Sequence, residues 1–213
     1  MAPARTSPLM LLLRRWHSAL VHQRRVRVLA EMLAERIPPG STVLDIGCGD
    51  GTIGQLISQC KPGLAMQGAE VAPRPGCKIP CEAFDGATLP FPGDSFDVCL
   101  LVDVLHHTTD VAALLREAAR VSRRFVLLKD HASENSFDAA TLGLMDWVGN
   151  RPHGVGLTYN YQSRSQWKQH FAACHLREVS CTFEIPLYPA PFSWIAGRKL
   201  HFISALEKIS RPV

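Results

Sequence analysis

The sequence predicts an α/β domain built on a doubly wound, seven-stranded sheet, mostly parallel, closed by a C-terminal antiparallel hairpin and flanked by helices on both faces. Three observations carry this. Short β-branched or apolar runs alternate with helical stretches between residues 43 and 129, the first run enters a glycine-rich turn that opens a helix, and the last two strand-like runs have no crossover helix between them.

Residues Leu9 to Ile37 carry a helical period, with Leu12, Trp16, Leu20, Val26, Leu29 and Leu33 apolar and arginines between, stopping at Pro38, Pro39 and Gly40. One or two helices therefore precede the sheet, and residues 1–39 are expected to form a basic helical extension of a domain over residues 40–213. Arg5, Arg14, Arg15, Arg24, Arg25 and Arg27 all come before the first acid, Glu31. That asymmetry suits peripheral contact with an anionic surface, a lid over a ligand, or a solvated helix face.

The strands follow as Val43 to Ile46, Ala65 to Val71, Cys81 to Phe84, Phe96 to Val102 and Phe125 to Lys129. Helices are expected at Thr52 to Ser58 and Asp110 to Val121. After Lys129 the rhythm changes. Residues 131–162 are rich in Asp, Asn, Gly, His and aromatics and are expected to insert a substrate pocket, with Asn150, His153, Tyr159 and Tyr161 as contacts; a surface loop with packed aromatics is the alternative. Ser163 and Gln166 form a capping-box pattern opening a helix. Arg177 to Leu187 and Leu200 to Leu206 complete the sheet, joined by the apolar loop Pro189 to Gly197, where Phe192, Trp194 and Ile195 suit a greasy substrate, a headgroup boundary or a dimer contact.

Composition narrows the class. A 213-residue chain that is 46% hydrophobic and 20% charged can build one core without staples. No apolar run approaches the roughly 20 residues of a membrane span, and Leu9 to Leu13 is too short for a secretory signal, so a cytoplasmic chain is expected. The seven cysteines mostly lie in apolar segments, as reduced thiols do. Cys77 and Cys81 lack a second ligand pair at metal spacing, so no metal is expected.

The densest local signal is VLDIGCGDGTIG, residues 43–54. A buried strand ends in Gly47, Gly49 and Gly51, which permit a sharp turn and close approach of a ligand to backbone N–H groups. Gly49, Gly51 and Gly54 also satisfy GxGxxG with Glu70 about 20 residues on, so a nicotinamide-dependent oxidoreductase stays open at this point. Register favours the other reading, because Gly54 falls a turn inside the helix. Asp45, a carboxylate in an apolar strand, needs a partner such as a ligand ammonium.

Together with FDGATLPFPGDSFDVCLLVDVLHH, residues 84–107, this pattern resembles the class I S-adenosylmethionine-dependent methyltransferases of the ubiquinone-biosynthesis-like type, over roughly residues 37–129. The resemblance implies a Rossmann-like fold and S-adenosylmethionine as cofactor. It places Gly47, Cys48, Gly49 and Gly51 around the methionine part, with Asp45 toward its ammonium group. Glu70 and Val71 would meet the ribose, Asp85 and Gly86 the adenine, and Asp103 and Val104 the end of the fourth strand beside the cofactor. The chain departs from the family in having Ser122, Arg123 and Arg124 where a PGG-like turn is usual.

Methyl transfer is an in-line displacement that draws on proximity, with a base needed only for a protonated nucleophile. The candidates at the strand ends are His106 and His107, then Asp130 and His131, each also readable as a cap or loop anchor. The acceptor is expected to be a small molecule or lipid-like. A non-catalytic partner-binding module is a second possibility. A nucleic-acid methyltransferase is disfavoured, since VDVLHH lacks the Asn/Asp-Pro-Pro-aromatic tetrapeptide and no RNA-binding module is appended.

Overall fold

The computed structural model describes residues 8–150, 159–188 and 199–209, with side chains from residue 22 and, in the first segment, up to residue 147. Its elements are α1 (Pro8–Arg36), β1 (Thr42–Ile46), α2 (Thr52–Cys60), β2 (Ala65–Glu70), β3 (Cys81–Ala83), β4 (Phe96–Val102), a 3-10 turn (Leu105–His107), α3 (Val111–Val121), β5 (Ser122–His131), α4 (Ser136–Asn150), α5 (Arg164–Ala173), β6 (Leu176–Thr182) and β7 (His201–Lys208). The strands form a seven-stranded sheet in the order β3-β2-β1-β4-β5-β7-β6. The first five run parallel; β7 is antiparallel to both β5 and β6.

The reversal of strand order lies between β1 and β4, and the carboxyl ends at such a switch point are where α/β sheets bind ligands. The central strands β1, β4 and β5 are largely apolar because both faces are covered. On one face Leu29 and Leu33 of α1, with Ile37 just after it, pack against Val43, Val98, Leu100 and Leu127. On the other, Leu114, Leu115 and Ala118 of α3 and Trp167 and Phe171 of α5 meet Leu44, Leu101, Val126 and Leu128. Each fully buried Leu contributes about 1.5–3 kcal/mol by burial.

Local chemistry explains the element ends. Asp110 caps α3 by accepting the Ala113 N–H at 2.9 Å. Ser163 and Gln166 cap α5 reciprocally, Ser163 N–H donating to Gln166 Oε1 at 2.8 Å and Gln166 N–H to Ser163 Oγ at 3.3 Å.

The N-terminal period forms one 29-residue helix, one of the two arrangements expected, and Leu29 and Leu33 near its end pack into the core. Elsewhere the structure departs from expectation. Ser122, Arg123 and Arg124, expected as a loop, are the first residues of β5, because α3 passes directly into the strand and a register irregularity in β4 absorbs the join. The strand expected over residues 177–187 stops at Thr182, while Ile185 and Leu187 still bury their side chains under α1. In the segment of residues 131–162, His131 belongs to β5 and a 15-residue helix, α4, occupies much of the remainder. Arg5, His153 and the loop with Phe192, Trp194 and Ile195 lie outside the described residues, as do the side chains of Arg14, Arg15 and Asn150.

Candidate active site

After β1 the chain turns through Gly47 to Gly51 into α2. Gly47 and Gly49 have φ of +70° and +60°, a left-handed backbone that costs a residue with a Cβ about 1–2 kcal/mol. Their surroundings differ. A Cβ on Gly47 would lie 2.6 Å from Val104 Cγ2, whereas one on Gly49 would meet nothing within 4 Å. Gly47 is small because Val104, two residues after β4, packs on it; Gly49 keeps a space open above the turn.

Glu70 ties the turn to β2, its Oε2 accepting from Gly49 N–H and its Oε1 from Val71 N–H, each at 2.8 Å. The adjoining end of β3 places Gly86 against Val71, with 3.4 Å between a Cβ on Gly86 and Val71 Cγ2. Asp85 is fully exposed there, and its carboxylate is lowered from its usual value by the N–H groups of Thr88 and Ala87, at 2.6 and 2.8 Å. Asp45 is different. It is 2% exposed, and burial together with the Glu70 charge pushes its carboxyl up to about 7. Among the described residues no donor is bonded to this carboxyl. A buried carboxylate without a cation is costly, so Asp45 and the open face of Gly49 fit an amino-acid ligand whose ammonium meets the carboxylate.

A second cluster occupies the ends of β4 and β5. Asp103, with φ +57°, accepts from the Arg25 guanidinium of α1 and from the Lys129 ammonium of β5. Lys129 is completely buried. Burial would raise the Asp103 carboxyl, yet Lys129 and Arg25 hold it well below the usual carboxylate range; burial in turn pulls Lys129 down despite Asp103. Asp103 thus has both oxygens engaged by this chain's own cations, fastening α1 to the sheet. His201 Nδ1 lies 3.3 Å from Lys129 Nζ, and burial and that ammonium hold His201 well below the usual histidine value.

Beside it, His106 Nδ1 lies 2.7 Å from Asp130 Oδ1. Asp130 is fixed by its own backbone bonds, accepting Leu105 N–H at 3.1 Å and His131 N–H at 2.8 Å. Burial would lower His106, but the Asp130 charge and hydrogen bond, aided by Asp103 and Asp146, raise it above its usual value. The ring's Nε2 is 3.6 Å from Asp146 Oδ2 of α4, to which Tyr161 donates its hydroxyl. Burial and Asp146 push that phenol up, keeping it a donor. His131 Nδ1 is 3.3 Å from His106 Nδ1, and His131 is lowered by burial and by Lys129. The His107 ring lies tilted against that of His106 with centroids 4.0 Å apart, and His107 is lowered by burial and by that neighbour.

The structure therefore brings His106, Asp130, His131 and Tyr161 together, with His107 and Tyr159 alongside. Asp103, His106 and His131 have atoms within 4.8 Å of one another, but Lys129 and Arg25 already neutralise Asp103 and would repel a cation. Sequence reasoning missed Arg25, Lys129, Asp146 and His201 in this role. Lys129 was signalled by its place in the apolar run FVLLK, just as Asp45 was in VLDI.

Lys129→Met is expected to cost about 3 kcal/mol, the low end for breaking a buried ion pair because Arg25 remains on Asp103. Chemical denaturation measures it; a loss within 0.5 kcal/mol, roughly that of a neutral surface change, would remove the network from the stability of the fold.

The comparisons agree with this architecture. The model of the methyltransferase-domain family matches residues 19–180. Over 104 residues the chain is 32% identical to a demethylmenaquinone methyltransferase of Tropheryma whipplei, covering 45% of this chain and 42% of that protein. It is 31% identical over 97 residues to a 2-methyl-6-phytyl-1,4-hydroquinone methyltransferase of a Synechocystis species, covering 41% of this chain and 30% of that protein. The alignments thus span less than half the length of these two curated relatives. A solved S-adenosylmethionine-dependent methyltransferase of Aquifex aeolicus superposes with a TM-score of 0.60 at 14% identity, over 90% of this chain and 98% of its own, a likeness of fold. With a family match across most of its length, a mostly parallel seven-stranded sheet and a glycine turn at the switch point, the chain belongs to the class I S-adenosylmethionine-dependent methyltransferase family.

Proposed function

We propose that the protein transfers a methyl group from S-adenosylmethionine to a small or lipid-like acceptor bearing an acidic hydroxyl, with a quinol-type aromatic ring as the favoured class. The observation that carries this is the His106–Asp130 pair, a histidine oriented by a buried carboxylate at the strand ends of a methyltransferase fold. The names of the two quinone-related relatives support the acceptor class.

When bound, S-adenosylmethionine supplies a methyl group already activated by its positive sulfur. Asp45 would pair with the ligand's ammonium and Glu70 would accept from its diol, while Gly49 leaves the approach free. Asp130 accepts from His106 Nδ1–H and so selects the tautomer with the lone pair on Nε2. His106 Nε2 would take the acceptor's hydroxyl proton, leaving that oxygen, or the ring carbon it activates, as the nucleophile for the methyl group. Tyr161 and Asp146 would shape the side from which the acceptor enters. In this assignment Asp103 holds α1 over the sheet rather than contacting the cofactor.

Isothermal titration with S-adenosylmethionine, S-adenosylhomocysteine and the nicotinamide dinucleotides tests the cofactor, and a panel of hydroquinones then tests the acceptor. Binding of the two sulfur ligands alone is the expected result; dinucleotide binding alone would return the protein to the oxidoreductases. The pH dependence has a definite sign. Asp45 pairs with an ammonium only when ionised, so the affinity is expected to fall as pH drops below about 7, by up to roughly tenfold per pH unit. An affinity flat between pH 8 and 5.5 would remove Asp45 from the site.

A further inference from the structure

Cys77 and Cys81 are four residues apart and carry no metal signal by themselves, but the fold supplies a third thiol. Cys48, inside the glycine turn, turns its side chain toward β2, where a Cβ on Gly68 would lie 2.5 Å from its Sγ. Its Sγ is 3.5 Å from that of Cys81, the first residue of β3. Cys77 approaches from the β2–β3 connection, its Sγ 2.9 Å from where a Cβ on Gly51 would be. The three sulfur atoms all lie within 4.8 Å of one another.

We propose that Cys48, Cys77 and Cys81 form a three-thiolate site for a thiophilic divalent cation, zinc being the ion whose geometry it fits. Tetrahedral thiolate zinc has Zn–S bonds of about 2.3 Å, which sets neighbouring sulfurs roughly 3.8 Å apart. The cluster needs only small side-chain shifts to reach that spacing. All three cysteines are half-buried, sheltered yet reachable from solvent. Asp45 and Glu70 lie close enough to act on Cys48 and Cys81 respectively, and their ionised carboxylates would attract a cation. Lys78, the adjacent ammonium, is turned away toward Asp50 and Thr52 on the outer side of the turn.

Backbone bonds already hold the connection against the glycine turn and β2. Lys78 N–H donates to Asp50 O at 3.0 Å, Gly68 N–H to Pro80 O at 2.7 Å, and Cys77 N–H to Arg74 O at 3.2 Å. A bound ion would replace three thiol protons, released to solvent, with three metal–sulfur bonds. It would clamp the glycine turn to β3 on the side of the turn facing β2. The fourth position, for which these three cysteines supply no ligand, would be taken by water. None of this depends on the acceptor or on the base.

The test uses the full reduced chain and the metal alone. Cobalt(II) titration of the wild type is expected to give one equivalent of near-ultraviolet thiolate-to-cobalt charge transfer, abolished by added zinc. Cys77→Ser and Cys81→Ser are each expected to lose that band and to bind zinc at least tenfold more weakly in competition with a chromophoric chelator, since even outer-shell changes cost metal sites about 10–100-fold. Cys60→Ser and Cys181→Ser, at exposed lone cysteines, are expected to keep it. Alkylation of the native wild type guards against misfolded variants: zinc is expected to protect residues 48, 77 and 81 and to leave 60 and 181 reactive. A wild type without the band, variants that retain it, or protection that spares the three residues would each overturn the site.

Discussion

His106→Gln is expected to lower kcat by about 10²–10⁴-fold, the usual contribution of a positioned general base, while leaving S-adenosylmethionine affinity within about twofold. Asp130→Asn is expected to fall in the same range, because an amide can present its N–H to Nδ1 and stabilise the tautomer with the proton on Nε2. The pH profile separates this from a merely structural effect. His106 accepts a proton only when neutral, so kcat/KM rises with pH through its pKa, which lies above the ordinary 6.5. Removing the Asp130 charge leaves burial as the dominant influence, so the rising limb is expected to move to lower pH in Asp130→Asn. Pre-steady-state rates measured across pH 5.5 to 9 check both claims. A limb that stays in place with kcat within threefold of the wild type would strip His106 of its role and leave the histidine cluster as a packed polar core.

Gly49→Leu is expected to reduce S-adenosylmethionine binding at least about 100-fold, because its side chain would fill the one face of the turn that meets no protein atom within 4 Å. Unfolding measurements are expected to register only the backbone strain at φ +60°, about 1–2 kcal/mol. Gly47→Leu makes the contrast. There the added carbon would collide with Val104 at 2.6 Å, and overpacking costs about 1–3 kcal/mol in addition to the strain. Equal binding loss in both with equal destabilisation would mean that the turn tolerates no side chain anywhere, and the open face of Gly49 would lose its meaning as a ligand approach. Calorimetry of both variants, alongside Glu70→Ala, which removes the acceptor for Gly49 N–H, decides between them.

Much of the scaffold is legible because its signals are local. The apolar run Val43 to Ile46 followed by Gly47 can only be a covered strand entering a turn, and Asp110, Ser163 and Gln166 announce helix starts within four residues of the bonds they make. The order of the last strands illustrates the limit. Two consecutive strands without a crossover must be antiparallel, and β6 and β7 are. That β7 inserts beside β5 and leaves β6 at the edge depends on which flank buries more apolar surface. The helical character of residues 136–150 was obscured by Gly143, Asp146 and Gly149, residues of poor intrinsic propensity that this helix accommodates.

The sequence by itself determined the strand–turn–helix signature and the mostly parallel seven-stranded class, since each rests on periodicity or on residues a few places apart; the positions at which a sulfonium cofactor would be sought came from resemblance to a family. Only the tertiary structure decided that Asp103 is held by Arg25 and Lys129, that His106 takes Asp130 as partner with Asp146 at its other edge, and that Cys48 meets Cys77 and Cys81. These partners are 24 to 78 residues apart for the hydrogen-bonded pairs. A charged or thiol side chain in the sequence declares that it needs a partner, because burying it alone is costly; which partner it gets is set by how the strands are ordered and which loops their ends bring together.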